Sequence, residues 1–253
     1  MISPAIIDWK EAPSRGIVRI GEAHLWLVEF SFVREHLVYL ESLLSSDEAQ
    51  RAGRFLFPAD RERFILSRGA LREILSRYLG QAPPAIQFVY QQQGKPALAG
   101  EADRQRLSFN ASHAESLALI ALSDGRAVGV DVECIREDRM NIAIARRFFS
   151  PGEVEKLLSL PESRQAEAFF NGWTRKEAFL KACGEGLRMP LGAIEVSLDP
   201  GEDAGLLAVA GDPAAALQWS LIPLVPKPGY VGALVVQGGL QNLLCYRWQF
   251  QAG

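Results

Sequence analysis

Acidic and cationic residues are concentrated in two short segments of the second half of this chain. The segment NGWTRKEAFLK carries Lys176, Glu177 and Lys181, and the upstream segment GVDVE carries Asp131 and Glu133. Carboxylate oxygens are the ligands that hard divalent cations such as Mg²⁺ prefer, and ammonium groups bind phosphate. Three carboxylates with two ammonium groups therefore indicate a site for a divalent cation and a phosphate-bearing ligand.

The two acids of GVDVE are predicted to share one face of a strand, because residues two apart in a strand point the same way. Asp131 and Glu133 would repel each other unless a cation such as Mg²⁺ lay between them. The alternative is the solvated face of an edge strand, where charged residues are common. Gly129 slightly favours the cation site, since a glycine in a strand often allows the close approach of a ligand.

The second segment is predicted to be a helix with its functional groups on one face. Trp173, Glu177 and Lys181 are spaced four apart and share that face, with Lys176 one step round the helix. The alternative is a surface Glu–Lys pair, worth about 0.2–0.5 kcal/mol, beside a tryptophan in the core. A GEG run follows directly. The helix is therefore expected to end in a flexible loop. Such loops are common near ligands, but a glycine here is also typical of an ordinary helix end.

Further candidate ligands lie in the first half of the chain. Ser112 and His113 are predicted just after a strand, where anionic ligands are often held, although a lone histidine also suits a structural role. Lys95 lies in a predicted turn. Arginines such as Arg51 and Arg63 form either a solvated helix face or a phosphate clamp, since guanidinium donates in a planar fork.

Composition restricts the class of protein. The 253 residues are 48% hydrophobic and 23% charged, which suits one large or two small globular domains. The formal charge of −3 gives no overall basic field for nucleic acid. Three widely spaced cysteines without a CxxC pair argue against a zinc site or a disulfide framework. With neither a signal-peptide pattern nor a membrane-length apolar run, we expect a cytoplasmic protein without membrane association.

Hydrophobic periodicity predicts strands and helices in both halves of the chain. Strands are predicted at 23–32, 86–90, 107–110, 117–122, 127–133, 194–198, 217–222, 232–236 and 244–250. Helices are predicted from residue 47 onwards and at 61–79, 142–149, 151–158 and 162–183.

Capping and turn residues predict where these elements end. Ser45 or Ser46 is expected to cap the first helix, and Asp60 the next one, which should end at Gly80. Asp124 begins an Asp-Gly pair between two apolar runs, a strong turn signal. It predicts a hairpin that joins the two strands on either side of it.

A weak internal sequence similarity suggests a division of the chain into two parts. RFLFP at 54–58 resembles RFFSP at 147–151, and each precedes a charged helix and then strands. The echo fits two related α+β halves joined near Asp124. We therefore predict an N-terminal half at 1–124 and a C-terminal half at 125–253.

Four motifs in order resemble those of the 4′-phosphopantetheinyl transferases of the larger, surfactin-synthetase-associated type. The resemblance extends from about Leu43 to Leu191. It rests on GVDVE and WTRKEAFLK, supported by GKP at 94–96 and FNASH at 109–113. The RFFSP and GEGL segments are most similar to cyanobacterial and related bacterial members.

The resemblance implies a fold and a reaction. The fold would be a monomer of two α+β halves related by a pseudo-twofold axis, with coenzyme A in the cleft between them. The enzyme would transfer the phosphopantetheine arm of coenzyme A to a serine of an apo acyl or peptidyl carrier protein, releasing 3′,5′-ADP. The N-terminal half would hold the 3′-phosphate and adenylate, and the C-terminal half would bind Mg²⁺ and carry the catalytic residues.

The resemblance also assigns roles to residues of the C-terminal half. Asp131, Glu133 and Glu177 would hold Mg²⁺ against the diphosphate of coenzyme A. Lys176 and Lys181 would steady the diphosphate, and Lys181 would assist the leaving 3′,5′-ADP. Glu177, or a metal-bound water beside it, is the candidate base.

Coenzyme A contacts are implied mainly in the first half. Arg63, Lys95 and His113 would contact the 3′-phosphate or the adenylate end. The full set of implied coenzyme A ligands is Arg51, Arg63, Gly94, Lys95, Pro96, Asn110, Ser112, His113, Lys176 and Lys181. One position departs from the family pattern: members often carry a basic residue near Glu48, and Arg51 one turn later is the expected substitute.

Two other functions share these residues. A Mg²⁺-dependent nucleotide pyrophosphatase would use the same metal site with water as acceptor, and a silent module would bind coenzyme A without turnover. The sequence contains neither a Walker A loop nor a GxGxxG fingerprint. It does not indicate which biosynthetic pathway the carrier protein serves, and the segment after Leu191 contains no motif that predicts a function.

Overall fold

The computed structural model describes residues 6–90, 94–100, 106–184 and 189–250, and it contains the predicted mixture of strands and helices. The strands are β1 Lys10–Glu11, β2 Glu22–Glu29, β3 Phe88–Tyr90, β4 Pro96–Leu98, β5 Ser108–Ala114, β6 Leu117–Ser123, β7 Val128–Cys134, β8 Ile194–Val196, β9 Leu206–Val209, β10 Trp219–Leu224, β11 Tyr230–Gln237 and β12 Asn242–Arg247. The α-helices are α1 Phe30–Val33, α2 Leu37–Ser42, α3 Ser46–Ala52, α4 Pro58–Leu79, α5 Ile142–Phe148, α6 Pro151–Ser159, α7 Glu162–Cys183 and α8 Pro213–Ala216. The α+β class is therefore confirmed.

Two sheets and two long helices make up the body of the molecule. The larger sheet has the order β1-β12-β2-β6-β5, and the smaller one has the order β10-β11-β7. One apolar cluster joins α4 to the larger sheet, a second joins α7 to the smaller sheet, and a third lies between the sheets. Within the described ranges, no helix is long and apolar enough to cross a membrane.

The last strand complicates the division of the chain into halves. β12 comes from the end of the chain, yet it pairs in parallel with β2 in the larger sheet. The division after Asp124 therefore remains a prediction, as does the pseudo-twofold axis.

The predicted hairpin at Asp124 is wrong. The turn exists, with Gly125 at φ 85° and the Ser123 hydroxyl donating to the carbonyl of Arg126. However, β6 pairs with β2 and β5, whereas β7 pairs with β11. Every residue of β6 is buried, so it is a central strand with both edges taken. An Asp-Gly pair specifies the reversal of the chain but not the partners of the strands.

The long helices have clear start and stop signals. α7 has the predicted bounds, and both α4 and α7 end in a left-handed glycine, Gly80 and Gly184. Ser45 begins α3 in a capping box with Glu48, as its position predicted. α4 begins at Pro58 rather than after Asp60, because proline supplies a helical φ at the first position.

A glycine in β7 sets the distance between that strand and α7. A Cβ at Gly129 would lie 2.0 Å from the carbonyl oxygen of Ala178 and 2.4 Å from the amide of Ala182. The sequence-based interpretation of Gly129 as a point of ligand approach is therefore wrong. The backbone of the helix occupies that space, and the close packing places α7 directly over the acidic face of β7.

Candidate active site

Polar side chains from three elements meet where β5 and β7 lie beside α7. The hydroxyl of Ser112 donates to Oδ1 of Asp131 at 2.8 Å. Nζ of Lys181 donates to the same oxygen at 2.6 Å and to Oγ of Ser112 at 3.0 Å. Asp131 is 4% exposed, and its Oδ2 has no hydrogen-bond partner among the described residues. An unsatisfied buried oxygen is costly, so this position favours an additional donor or cation.

The strand that carries Ser112 is longer than predicted. β5 extends to Ala114, so Ser112 and His113 lie within the strand and not after it. The alternation of the strand explains their difference: Ser112 is buried against Asp131, and His113 is exposed.

The three acids of the two motifs act on one another electrostatically. Burial, followed by the charge of Asp131, raises the pKa of Glu133 to about 7, while Lys181 and Arg139 oppose the shift. Burial and then Asp131 also raise the pKa of Glu177, again with Lys181 opposing. The structure therefore brings the acids together in partly desolvated positions, where a cation would relieve their mutual repulsion.

These acids fit a hard divalent cation by chemistry, although their present arrangement is built around an ammonium. Among the residues described, no group of three or more His, Cys, Asp or Glu side chains is arranged to hold a metal ion. Lys181 is the counter-ion of Asp131 instead. The unpartnered Oδ2 of Asp131 and the carboxyl groups of Glu133 and Glu177 supply the oxygen donors that such a cation needs. The raised pKa values of the two glutamates reflect burial and repulsion that a bound cation would offset.

Cations border this acidic group. Loss of hydration, followed by the charges of Lys181 and Arg63, lowers the pKa of His113, with Asp131 opposing. The imidazole is therefore neutral at neutral pH and acts as a hydrogen-bond donor or acceptor. Arg51 is exposed, and its guanidinium lies over the ring of Phe64, 5.2 Å from the ring centre.

Comparison with known proteins identifies the family. The chain is 41% identical over 230 residues to the 4′-phosphopantetheinyl transferase HetI of Nostoc sp., covering 91% of this chain and 94% of that protein. The chain belongs to the 4′-phosphopantetheinyl transferase family. It is therefore an enzyme that transfers phosphopantetheine from coenzyme A to carrier proteins.

Other matches agree with this assignment. A model described as "4′-phosphopantetheinyl transferase, N-terminal" matches residues 29–124, and the 4′-phosphopantetheinyl transferase superfamily model matches residues 127–235. The chain is 42% identical to a putative 4′-phosphopantetheinyl transferase of Synechocystis sp., over 58% of this chain and 59% of that protein. It is 31% identical to the transferase Sfp of Bacillus subtilis, over 62% of this chain and 67% of that protein.

Lys176 of this transferase does not face the acidic group. Its side chain is completely buried, and its ammonium donates to the carbonyl of Leu191 at 3.0 Å and to that of Ile194. The third contact is an ion pair with Glu153 at 2.7 Å. All three protons of Lys176 are used inside the protein, so this geometry does not support a contact with the diphosphate, and that expected role stays a prediction.

Two expected coenzyme A ligands also have internal partners. The half-buried ammonium of Lys95 donates to the carbonyl of Val128 at 3.0 Å and to that of Lys181. The buried side chain of Asn110 accepts from the amide of Val130 at 2.9 Å and so links β5 to β7. Lys95 therefore links its segment to β7 and α7, and Asn110 links β5 to β7. The roles expected for both residues at coenzyme A stay predictions.

The GKP turn borders a cavity that is separate from the acidic group. Gly94 is exposed at φ 79°, and Lys95 and Pro96 line a cavity of about 350 Å³ beside the end of α7. The run after Gly184, 185–187, and the glutamines of the predicted turn, 91–93, lie outside the described residues.

The acidic residue that departs from the family pattern has a structural role. Glu48 is 2% exposed and forms ion pairs with Arg68 at 2.9 Å and with Arg72. It is therefore a core residue of the transferase and not a position that faces a phosphate. The substitution of a family base by Arg51 stays a prediction.

Sequence reasoning missed Glu153, the partner of Lys176. The run Ser150-Pro-Gly-Glu153 is a capping-box signature, and the structure contains that box at the start of α6. This signal could have identified Glu153 as a buried carboxylate.

Trp173 packs on Phe148 and Phe169, which agrees with the alternative of a core tryptophan.

The half-buried ammonium of Lys95 gives a pH test of this arrangement. Burial lowers the pKa of Lys95 to about 8, whereas an unfolded lysine keeps its proton up to about pH 10.4. Between these values the unfolded chain binds more protons, so the free energy of unfolding should rise with pH. Urea denaturation across this range should show that rise in the wild type and its loss in Lys95→Met. Parallel profiles for the two proteins would contradict it.

Proposed function

We propose that this transferase moves the 4′-phosphopantetheine arm of coenzyme A to a serine hydroxyl of an apo acyl or peptidyl carrier protein. The reaction would depend on Mg²⁺ and release 3′,5′-ADP. The observation that carries the proposal is the Ser112–Asp131–Lys181 triangle, with Glu133 and Glu177 beside it. This group combines the oxygen donors for a cation with an ammonium for a phosphate.

Asp131, Glu133 and Glu177 would hold the magnesium ion. When bound, the ion would neutralise negative charge on the diphosphate during attack by the serine oxygen. Lys181 already lies 2.6 Å from Asp131, so the same ammonium is placed to contact the diphosphate. Its positive charge would stabilise the oxygen that carries the electron pair of the broken phosphoanhydride bond.

Glu177 is the proposed base for the serine proton. Burial and then the charge of Asp131 raise the pKa of its carboxyl towards the working pH, where a base is most effective. The serine oxygen would form its bond to the phosphorus next to the pantetheine, while its proton passes to the Glu177 carboxylate. The bond from that phosphorus to the oxygen of 3′,5′-ADP would break.

The 3′-phosphate of coenzyme A would lie on the side of the cations. His113 and Arg63 are close enough for Arg63 to influence the pKa of His113, and His113 is exposed. Arg51 is proposed as a further contact of this phosphate because the family resemblance implies it. We further propose that the enzyme works as a cytoplasmic monomer, without nucleic acid or membrane.

The test is intact-mass spectrometry of an apo carrier protein incubated with the enzyme, coenzyme A and Mg²⁺. We expect the carrier to gain one phosphopantetheine arm. Chelation of divalent cations should abolish the gain, and added Mg²⁺ should restore it, because the acids cannot neutralise the diphosphate themselves. Unchanged transfer after chelation would contradict the metal dependence. Hydrolysis of coenzyme A without carrier would favour a pyrophosphatase, and binding without turnover a silent module.

A further inference from the structure

The buried ammonium of Lys176 connects α7 to elements that lie beside it. Its partners are the carbonyls of Leu191 and Ile194, next to a 3₁₀ turn, and the carboxylate of Glu153. Glu153 also accepts from the amide of Ser150 at 2.7 Å and from that of Val196 at 2.9 Å. The pair therefore ties α7 to the start of α6 and to β8.

The first half contains the same device. Arg72 and Lys176 each lie fourteen residues after the first residue of a 22-residue helix. Arg72 pairs with Glu48. Glu48 is the third residue of α3 and completes its capping box, and Glu153 has the same place in α6. Arg72 also donates to the carbonyls of Pro83 at 2.7 Å and Ile86 at 2.9 Å, beside another 3₁₀ turn.

The similarity continues along the two helices. α4 reads REILSR from Arg72, and α7 reads KEAFLK from Lys176. Each helix therefore has an acid directly after the buried cation and a second cation four residues after that acid. In α4 the second cation, Arg77, pairs with Glu73 at 2.8 Å and lies over the ring of Trp26. In α7 the second cation, Lys181, contacts Asp131 instead.

The two halves thus share the buried cation but differ in what their helices face. β2 packs apolar Trp26 and Val28 in the same cluster as α4, whereas β7 presents Asp131 to α7. The buried cation therefore has a structural role in both helices. Any effect of Lys176 on the reaction must be exerted through Glu177 and Lys181, which follow it in α7.

We propose that Lys176 and Glu153 are positioning residues that fix the rotation of α7 about its axis. Gly129 sets the distance between α7 and β7, and the buried pair sets which face of the helix meets the strand. Glu177 and Lys181 follow Lys176 on that helix, so a small rotation would move both away from Asp131. The proposal rests on the proposed function for the roles of these two residues.

The first half supplies matched controls for the test. Glu153→Gln and Lys176→Met break the pair in α7, and Glu48→Gln and Arg72→Met break its counterpart in α4. All four variants should lower the melting temperature, since each leaves one charge of a buried ion pair without its counter-ion. Only the α7 variants should weaken Mg²⁺ or Mn²⁺ binding to the protein alone, by about 10–100-fold, as supporting residues of metal sites do. Calorimetry measures this without turnover, at a temperature where each variant is folded.

Kinetics distinguish positioning from direct contact. Positioning predicts that Glu153→Gln and Lys176→Met both lower kcat, with little change in the KM for coenzyme A. If Lys176 contacted the diphosphate, Lys176→Met would raise that KM and Glu153→Gln would not. Equal metal affinity and kcat in Glu153→Gln and Glu48→Gln would overturn the proposal. Absence of metal-dependent transfer in the wild type would overturn the proposed function instead.

Discussion

Replacement of Asp131 by asparagine is expected to lower kcat/KM for transfer by roughly 10²–10³-fold, as loss of a group that stabilises charge in the transition state does. Asp131 has the shortest contact with Lys181, at 2.6 Å, and it is the most buried of the three proposed metal ligands. Asparagine keeps the shape but removes the charge. The ammonium then lacks its counter-ion, and the cation loses one of its carboxylates.

The measurement is a steady-state assay with apo carrier protein, accompanied by a Mg²⁺ titration and a thermal unfolding curve. Ser112→Ala is the matched control, because it removes a hydrogen bond to the same oxygen and leaves the charge in place. A hydrogen bond to a charged group contributes about 1.5–3 kcal/mol. Lys181 still binds the same oxygen in this control, so it should lose less activity than Asp131→Asn. Full activity in a folded Asp131→Asn protein would exclude the proposed role of this carboxylate.

The helical part of the site could be predicted from sequence because spacing determines which residues share a face. Glu177 and Lys181 are four residues apart, and both act at Asp131, as the helical period requires. Lys176 was assigned to the same site because it belongs to the same motif. Its partners Glu153, Leu191 and Ile194 cannot be inferred from spacing, since burial of that face depends on residues distant in sequence.

The sheet contacts were harder to predict for a related reason. The Asp124 turn is visible in the sequence, but β6 and β7 pair with strands from distant parts of the chain. Strand partners depend on which edges remain open after the sheets assemble, and a local turn signal does not contain that information. The same limit explains why Asn110 was assigned to a ligand pocket, although it links β5 to β7.

The correspondence between α4 and α7 is clearer in three dimensions than in the sequence. The short echo at 54–58 and 147–151 pointed to related halves, yet the stronger correspondence is between Arg72 and Lys176 and their glutamate partners. It escapes a sequence comparison because an arginine in one half has the place of a lysine in the other. The correspondence lies in the contacts, and those contacts also explain why Glu48 is acidic.

The second large effect is expected from Gly129→Ala. The new Cβ would lie 2.0 Å from the carbonyl oxygen of Ala178 and 2.4 Å from the amide of Ala182. Both are backbone atoms of α7, so no side-chain rotation can relieve the overlap and the helix must move away from β7. Overpacking of this kind costs typically about 1–3 kcal/mol, and the same movement would separate Lys181 from Asp131. We therefore expect lower stability together with a loss of transfer activity.

Gly152→Ala separates this effect from the general consequences of replacing a glycine. Gly152 lies in α6, where an added Cβ would meet nothing within 4 Å, so alanine should be neutral or stabilise the protein by about 0.4–1 kcal/mol. Urea unfolding of both variants gives the stability difference, and transfer assays at low temperature compare the folded proteins. If Gly129→Ala unfolded at the wild-type urea concentration and kept full activity, the close contact of α7 with β7 could not be what positions Lys181 against Asp131.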